Sequence, residues 1–358
     1  MRAAAIASEA WRNLATGTSR AGLLALGFVL TIGTLAAVDV RAVVAVLQEA
    51  AEFRAAGATV QVLESEAGID GARCAALTGT GGVTAAGAVR RGADVRALNL
   101  PSATVSVLEV TPAFLDVLPG AGTAAPATPG IWLAADLADA LGAGAGDEIA
   151  TSAGPATIAA VYAFPDDGRD RTLGYAALAP VPAVGAFDAC WAEIWPPDEA
   201  ASALVRSALV PTAAGQPEVT QAQLNPRLGR DHDAVAALAD RLTGPAPGAA
   251  TVAGLLLGLG AARARRLELA SALHARVPKP ALAFQVLGEA VAWVGAATLV
   301  TTAVLGWLAS WQNPDPGLAT WAIGLRTTGA GAAAVLLGVV LGVLTTRERH
   351  LFRYFKDR

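Results

Sequence analysis

The chain has 358 residues, of which 54% are hydrophobic and only 16% charged. This composition, with a mean hydropathy of +0.48, excludes an ordinary soluble domain and indicates membrane-spanning segments. The net charge is −4, and the basic residues stand at the ends of apolar stretches rather than on one patch. No nucleic-acid partner is therefore predicted.

The N-terminal part predicts a membrane anchor. Residues 1–20 carry Trp11 next to Arg12, which is typical of an amphipathic helix at a membrane interface. Residues 21–38 are uncharged and long enough to span a bilayer, whereas the alternative, a cleaved signal peptide, has a shorter apolar stretch. Apolar residues continue at helical spacing through residues 39–56, which predicts a stalk that extends the first spanning helix outward.

The middle of the chain, residues 57–244, predicts a large extracytoplasmic α+β domain, because about 190 residues can bury a core of their own. Gly- and Pro-rich loops are expected at 119–130 and 211–217, and a second amphipathic helix at 231–242. Strands are expected at Ala58–Leu63, Val83–Val89, Thr104–Val110, Thr157–Ala163 and Ala189–Trp195, and helices from Ile69, Pro112, Ala134 and Asp198.

Both cysteines of the chain, Cys74 and Cys190, fall in this middle domain. A disulfide between them is permitted if the domain lies outside the cell, where the environment is oxidising. The sequence leaves a bonded pair and two free thiols equally open.

Three further membrane spans follow the middle domain, at residues 245–262, 281–308 and 327–346. Between them lie a basic segment at 263–280 and an outer loop at 309–326, and a basic tail follows at 347–358. Within the outer loop, Gln312–Thr320 is bracketed by Trp307, Trp311 and Trp321, as is typical of aromatic residues at a membrane interface. The arginine clusters all fall on one side of the four spans. The positive-inside rule therefore predicts a multi-pass protein of the bacterial cell (inner) membrane, with both termini in the cytoplasm and residues 57–244 outside.

The sequence predicts no catalytic residue and no metal site. The glycine-rich run 142–147 lacks the Lys-Ser/Thr pair of a phosphate-binding loop. Residues 231–233, Asp-His-Asp, suggest a helix cap more than a metal site, and residues 166–169 suggest a solvated turn more than a calcium loop. The histidines, His232, His274 and His350, lack metal-ligand spacing.

Glu289 is the one ionisable residue close to the core of a predicted span. It is expected either to face the bundle or a partner, or to lie at headgroup depth in contact with water. Two pairs of glycines spaced four apart allow close helix contact, although a chain with 38 glycines also contains such pairs by chance; they are Gly254 and Gly258, and Gly338 and Gly342.

The basic segment predicts a surface helix where a soluble partner binds. Leu269 and Leu273 are four residues apart on one face, while Arg265, Arg266 and Glu268 flank them. The motif Arg265-Arg266-Leu267-Glu268-Leu269, with Ala272-Leu273 and then Phe284–Ala290 after it, resembles the coupling segment and third span of the FtsX-like or MacB-like permeases of ABC transporters. The phrases Val110–Leu118, Leu133–Leu141, Gly146-Asp147 and Ala156–Val161 of the middle domain are similar to phrases of that family.

The resemblance covers essentially the whole chain and implies a type VII ABC permease with a mechanotransmission architecture. It implies a permease dimer that binds two copies of a separate ATPase subunit, which holds the ATP and Mg, while this chain binds no cofactor and is no enzyme. The ATPase-coupling residues would be Arg265, Arg266, Glu268, Leu269, Leu273 and His274. The run Ser271–His274 stands where the family has Arg-Ala-Leu-Gly, so both a homodimer and a heterodimer with a related permease remain open.

Three functions compete at this point. The first is a permease that exports, extracts or releases a peptide, lipoprotein or amphiphile. The second is an FtsX-like regulator that activates a cell-wall hydrolase or a sensor through an extracytoplasmic partner. The third is a membrane-anchored binding domain without an energy source, which copurification with an ATPase would exclude.

Overall fold

The computed structural model describes residues 3–17, 19–98, 104–118, 129–211, 218–229 and 232–348, the side chains of residues 3–7 excepted. The chain divides into a helical unit, Met1–Gln48 with Ala234–Arg358, and a sheet unit, Glu49–Asp233. The helices are α1 Ala3–Ala15, α2 Ala21–Ala55, α3 Gly71–Ala75, α4 Phe114–Val117, α5 Ala135–Leu141, α6 Glu199–Leu204, α7 Ala234–Ala239, α8 Ala246–Ala264, α9 Arg266–His274, α10 Lys279–Ser310 and α11 Leu318–Thr345.

The strands form one mixed sheet. Their order is β10-β1-β9-β2-β4-β8-β5-β7-β6, with β3 beside β4, and the pairs β4–β8 and β5–β7 are parallel. The strands are β1 Val60–Asp70, β2 Val83–Arg91, β3 Val95–Arg96, β4 Thr104–Val110, β5 Ile131–Ala134, β6 Glu148–Thr151, β7 Gly154–Tyr162, β8 Ala176–Pro180, β9 Ala186–Ile194 and β10 Thr220–Gln223. A mixed sheet with flanking helices confirms the predicted α+β class of the domain.

Both faces of the sheet are covered. Along β9, Ala189 and Trp191 belong to one buried apolar cluster, while the alternate residues Cys190 and Ala192 belong to another. Because successive side chains of a strand point to opposite faces, the two clusters lie on the two sides of the sheet. Cys190 is joined by a disulfide to Cys74 in α3, with a Cα–Cα distance of 5.8 Å, which fixes α3 to the second side.

The sequence located the five long strands but missed the five short ones, β3, β5, β6, β8 and β10. The helix expected from Ile69 begins at Gly71, because β1 continues through Asp70. The Asp70 carboxylate then caps α3 by accepting hydrogen bonds from the Ala72 and Arg73 amides at 3.0 and 3.1 Å. The loops expected at 119–130 and 211–217 fall largely outside the described residues.

Among the residues that the structure describes, four helices are long and apolar enough to cross a membrane: α2, α8, α10 and α11. The bounds of the last differ from the prediction, since α11 begins at Leu318 and not at 327. Arg326 is exposed on the surface of this helix while its neighbour Thr327 is buried, so the arginine lies within the helix and does not mark its end. The loop before α11 is accordingly shorter than the 309–326 expected. The amphipathic helix expected at 231–242 is reduced to α7.

Helices α8 and α11 pack backbone to backbone. A Cβ atom added at Gly254 would collide with the carbonyl oxygen of Gly331, and one at Gly258 with that of Val335. From the other side, a Cβ at Gly338 would collide with the carbonyl oxygen of Leu255, and one at Gly342 with the Ala262 side chain. The structure thus brings together both glycine pairs found in the sequence, in a contact that larger side chains would prevent.

Candidate functional site

A partly buried polar cluster lies where α8 meets α9. Arg265 donates from Nε and Nη2 to the two carboxylate oxygens of Glu268, at 2.9 and 2.6 Å, and from Nη1 to Glu289. Asn13 of α1 donates from Nδ2 to the other Glu289 oxygen at 2.6 Å. We call these four residues, Asn13, Arg265, Glu268 and Glu289, the Arg265 junction.

The Arg265 junction explains how the carboxylate of Glu289 can be buried in the apolar helix α10. Glu289 is only 2% exposed, yet each of its oxygens accepts a hydrogen bond, and its charge is balanced by Arg265. Unpaired, such a group would be costly to bury. The structure therefore favours the bundle-facing alternative for Glu289, and the junction ties α9 to α1 and α10.

The junction also sets which face of α9 is free. Leu269 is 2% exposed and belongs to the apolar core of the helical unit, and the half-buried Leu273 packs against the same core. The expectation that both leucines face a partner is therefore corrected, because the residue one turn before Leu269 is Arg265, whose ion pairs turn that side of the helix inward. The exposed side of α9 and its end carry Glu268, Ser271, His274 and Ala275.

The remaining predicted coupling residues lie at the edges of α9. His274 Nδ1 is 2.8 Å from Glu348 Oε1, and both side chains are exposed. This contact joins the end of α9 to the segment after α11. Arg266 is half-buried beside the Arg265 junction.

A second buried ion pair was missed by the sequence reasoning. Asp39 of α2 is fully buried and accepts a hydrogen bond from Arg241 Nε at 3.1 Å. Thr327 of α11 donates its hydroxyl to the other Asp39 oxygen at 3.4 Å. We call these three residues the Arg241 junction. The available signal is a lone carboxylate in the middle of a long helical apolar pattern, a position that also suggests the end of a span.

Arg41 and Gln48 of α2 contact the loop between α10 and α11. Arg41 stacks over the Trp311 ring at 5.1 Å and donates from Nη1 to the Trp311 carbonyl at 3.0 Å. Gln48 donates from Nε2 to the Gln312 carbonyl at 2.8 Å. Trp307 stacks on Trp311 with ring centroids 5.4 Å apart. These are the tryptophans that the sequence placed at an interface.

The two weak metal motifs are explained by other contacts. Arg169 donates from Nε and Nη2 to the carboxylate of Asp167, at 2.9 and 2.7 Å, and these hydrogen bonds hold the pKa of Asp167 below its usual range. His232 stacks on Phe53 with centroids 5.2 Å apart, while Asp231 lies outside the described residues. Within the described ranges, no three His, Cys, Asp or Glu side chains are grouped to hold a metal ion.

Comparisons with known proteins assign no family to the chain. No protein-family model and no curated protein matches the sequence. The periplasmic region of MacB from Actinobacillus actinomycetemcomitans is similar in structure over 48% of this chain and 91% of that one, with 10% identity and a TM-score of 0.33. A domain of a protein described as a permease from Porphyromonas gingivalis is similar over 51% of this chain and 95% of that one, with 15% identity and a TM-score of 0.32.

Proposed function

We propose that this protein is the permease subunit of an ABC transporter of the FtsX-like or MacB-like kind. A separate ATPase subunit hydrolyses ATP, and the permease converts this into movement of its extracytoplasmic sheet unit. The cargo is a peptide, lipoprotein or amphiphile that is exported, extracted or released. Two permeases, identical or related, bind two ATPases, and this chain contributes no catalytic group.

The observation that carries the proposal is the anchoring of α9. One side of this short helix is held in the bundle by Leu269 and by the Arg265 junction, while the other side is exposed. A partner that pulls on the exposed side therefore moves α1, α8 and α10 with it. A helix that is rigidly attached to spanning helices and open on one side is suited to receive force from a soluble subunit.

The first span supports the same function. Helix α2 is continuous from Ala21 to Ala55, so it has 35 residues and a length of about 50 Å, against a hydrocarbon thickness of about 30 Å. Its excess length fits the stalk predicted from the sequence. The helix contains one π-helical turn, Val29–Gly33, within the part predicted to span the bilayer.

The test is copurification of an ATPase subunit from native membranes through the exposed side of α9. Wild-type protein is expected to retain an ATPase identifiable by mass spectrometry, and Ser271→Trp is expected to lose it, because the indole would block the docking surface. Ser310→Trp is the matched control, since Ser310 is an exposed serine of α10 that also bonds to a backbone carbonyl of its own helix. Absence of an ATPase from the wild-type sample, or its retention by Ser271→Trp, would contradict the proposal.

A separate experiment tests on which side of the membrane the sheet unit and α9 lie. Val184 is 76% exposed in the sheet unit, and Ser271 is exposed on α9. A membrane-impermeant maleimide is expected to label Val184→Cys in intact cells and Ser271→Cys only after permeabilisation. The reverse pattern would place the sheet unit in the cytoplasm and end the permease proposal.

A further inference from the structure

A cleft of about 800 Å³ opens beside the Arg265 junction. Three segments form it: the start of α2, the last turns of α8, and the first half of α9. Its charged lining consists of four arginines and one carboxylate, Arg20, Arg263, Arg265, Arg266 and Glu268. The cleft is therefore strongly basic.

Two of these arginines have no balancing carboxylate among the described residues. Arg20 and Arg263 are exposed, and neither forms an ion pair within the described residues, whereas Arg265 is engaged by Glu268 and Glu289. Arg20 is also the N-cap of α2 and provides no side-chain hydrogen bond to its first turn. The amide groups of that turn add to the attraction for an anion that the arginines already create.

The other wall of the cleft is apolar. It consists of Leu23 and Leu24 of α2 and of Gly260 and Ala261 of α8. Leu23 is 67% exposed, and a Cβ atom added at Gly260 would meet no other atom within 4 Å. Both helices belong to the set that is long and apolar enough to cross a membrane. A ligand that fills this cleft needs an anionic group at the arginine end and an apolar body along the helices.

We propose that this cleft binds one anionic glycerophospholipid of the cytoplasmic leaflet, with its phosphate between Arg20 and Arg263 and its acyl chains along Leu23, Leu24 and Gly260. The proposal rests on the membrane orientation proposed above. The bound lipid lies beside Leu267 in the first turn of α9, so it borders the helix that receives the ATPase.

The test measures lipid retention by native mass spectrometry. The purified full-length protein is incubated in detergent with equal amounts of dioleoyl phosphatidylglycerol and dioleoyl phosphatidylcholine. One phosphatidylglycerol is expected to be retained per chain in preference to phosphatidylcholine. Because each arginine near an anionic lipid contributes about a fivefold increase in affinity, the double variant Arg20→Gln with Arg263→Gln is expected to lose most of this preference.

Matched controls separate a specific cleft from general adhesion. Gly260→Leu is expected to abolish retention by filling the apolar wall, whereas Gly295→Leu of α10, where an added Cβ also has no neighbour within 4 Å, should leave it unchanged. Arg326→Gln, which removes an exposed arginine of α11, should also have no effect. Equal retention by wild type, Gly260→Leu and the double arginine variant would overturn the proposal.

Two further arms identify other occupants. Displacement of the lipid by excess inorganic phosphate would show that the site takes free phosphate and would overturn the assignment to a lipid. If the cleft variants lose the ATPase but retain phosphatidylglycerol normally, the cleft belongs to the ATPase and the lipid proposal fails. If the cleft variants lose the lipid but retain the ATPase, the lipid proposal is supported. Failure of the lipid proposal can thus be distinguished from failure of the permease proposal.

Discussion

The two polar junctions of the helical unit lie at opposite ends of α8 and differ in how their charges are balanced. In the Arg241 junction, one arginine serves one carboxylate, and Asp39 is completely buried. In the Arg265 junction, one arginine serves two carboxylates, and the side chain of Glu268 is 48% exposed while that of Glu289 is 3% exposed. A pair with a single partner is fixed, whereas an arginine with two partners can weaken one contact while keeping the other.

This difference suits the proposed roles of the two ends. In the proposed function the end that carries α9 responds to the ATPase, and the exposed Glu268 would give that partner access to the arginine that holds Glu289. The Arg241 junction joins α2 to α11 and to the segment before α8, and it has no exposed carboxylate. We expect the contacts of the Arg265 junction to rearrange when a partner binds, and those of the Arg241 junction to stay in place.

The largest effect is expected from Asp39→Ala. This variant leaves Arg241 largely buried and without its carboxylate, which should lower the free energy of unfolding by about 3 kcal/mol. The double variant Asp39→Leu with Arg241→Met removes both charges and should recover most of the loss. Unfolding in mixed detergent micelles, followed by tryptophan fluorescence, measures both. A double variant as unstable as the single one would show that the charge imbalance is not the cause.

A smaller loss is expected from Glu289→Gln. The amide can still accept the hydrogen bond from Asn13, and Arg265 keeps Glu268, so the free energy of unfolding should fall by about 1–2 kcal/mol. The same micelle titration measures this value. A loss larger than that of Asp39→Ala would contradict this expectation. It would show that Glu268 does not compensate Arg265 for the loss of the Glu289 carboxylate.

Glu268→Gln should separate stability from coupling. The carboxylate is about half exposed, so its removal should change the free energy of unfolding by less than about 1 kcal/mol. We expect it nevertheless to change the ATP hydrolysis rate of the copurified ATPase, because Arg265 is then held by Glu289 alone. An unchanged rate would contradict the switching role of the Arg265 junction.

The smallest effect concerns an ion pair outside the membrane spans. The pKa of Asp167 is lowered by its hydrogen bonds from Arg169, so its contribution to stability is complete above the unfolded pKa of about 3.9. That contribution is lost as the pH falls through the folded pKa. Unfolding curves of wild type and Asp167→Asn should therefore differ by the same amount from pH 7 to pH 5 and converge in stronger acid. A difference that changes between pH 7 and pH 5 would contradict this.

The sequence supports some parts of the structure better than others, for physical reasons. Glu289 stood out because it interrupts an apolar run, and the glycine pairs stood out by their spacing. Asp39 did not stand out, because its partner Arg241 is distant in sequence and a charge after an apolar stretch suggests the end of a span. The direction of Leu269 was misjudged because helical spacing identifies a face but not what covers it. The short strands were missed because two to five residues are too few to show alternation.

The glycine contact between α8 and α11 limits where the bundle can bend. Because backbone meets backbone there, no side chains can repack to allow these two helices to slide. The two helices, far apart in sequence, should therefore move together as one rigid body. Any bending must then occur outside this contact, so covalently joining α8 to α11 should leave the proposed transport intact.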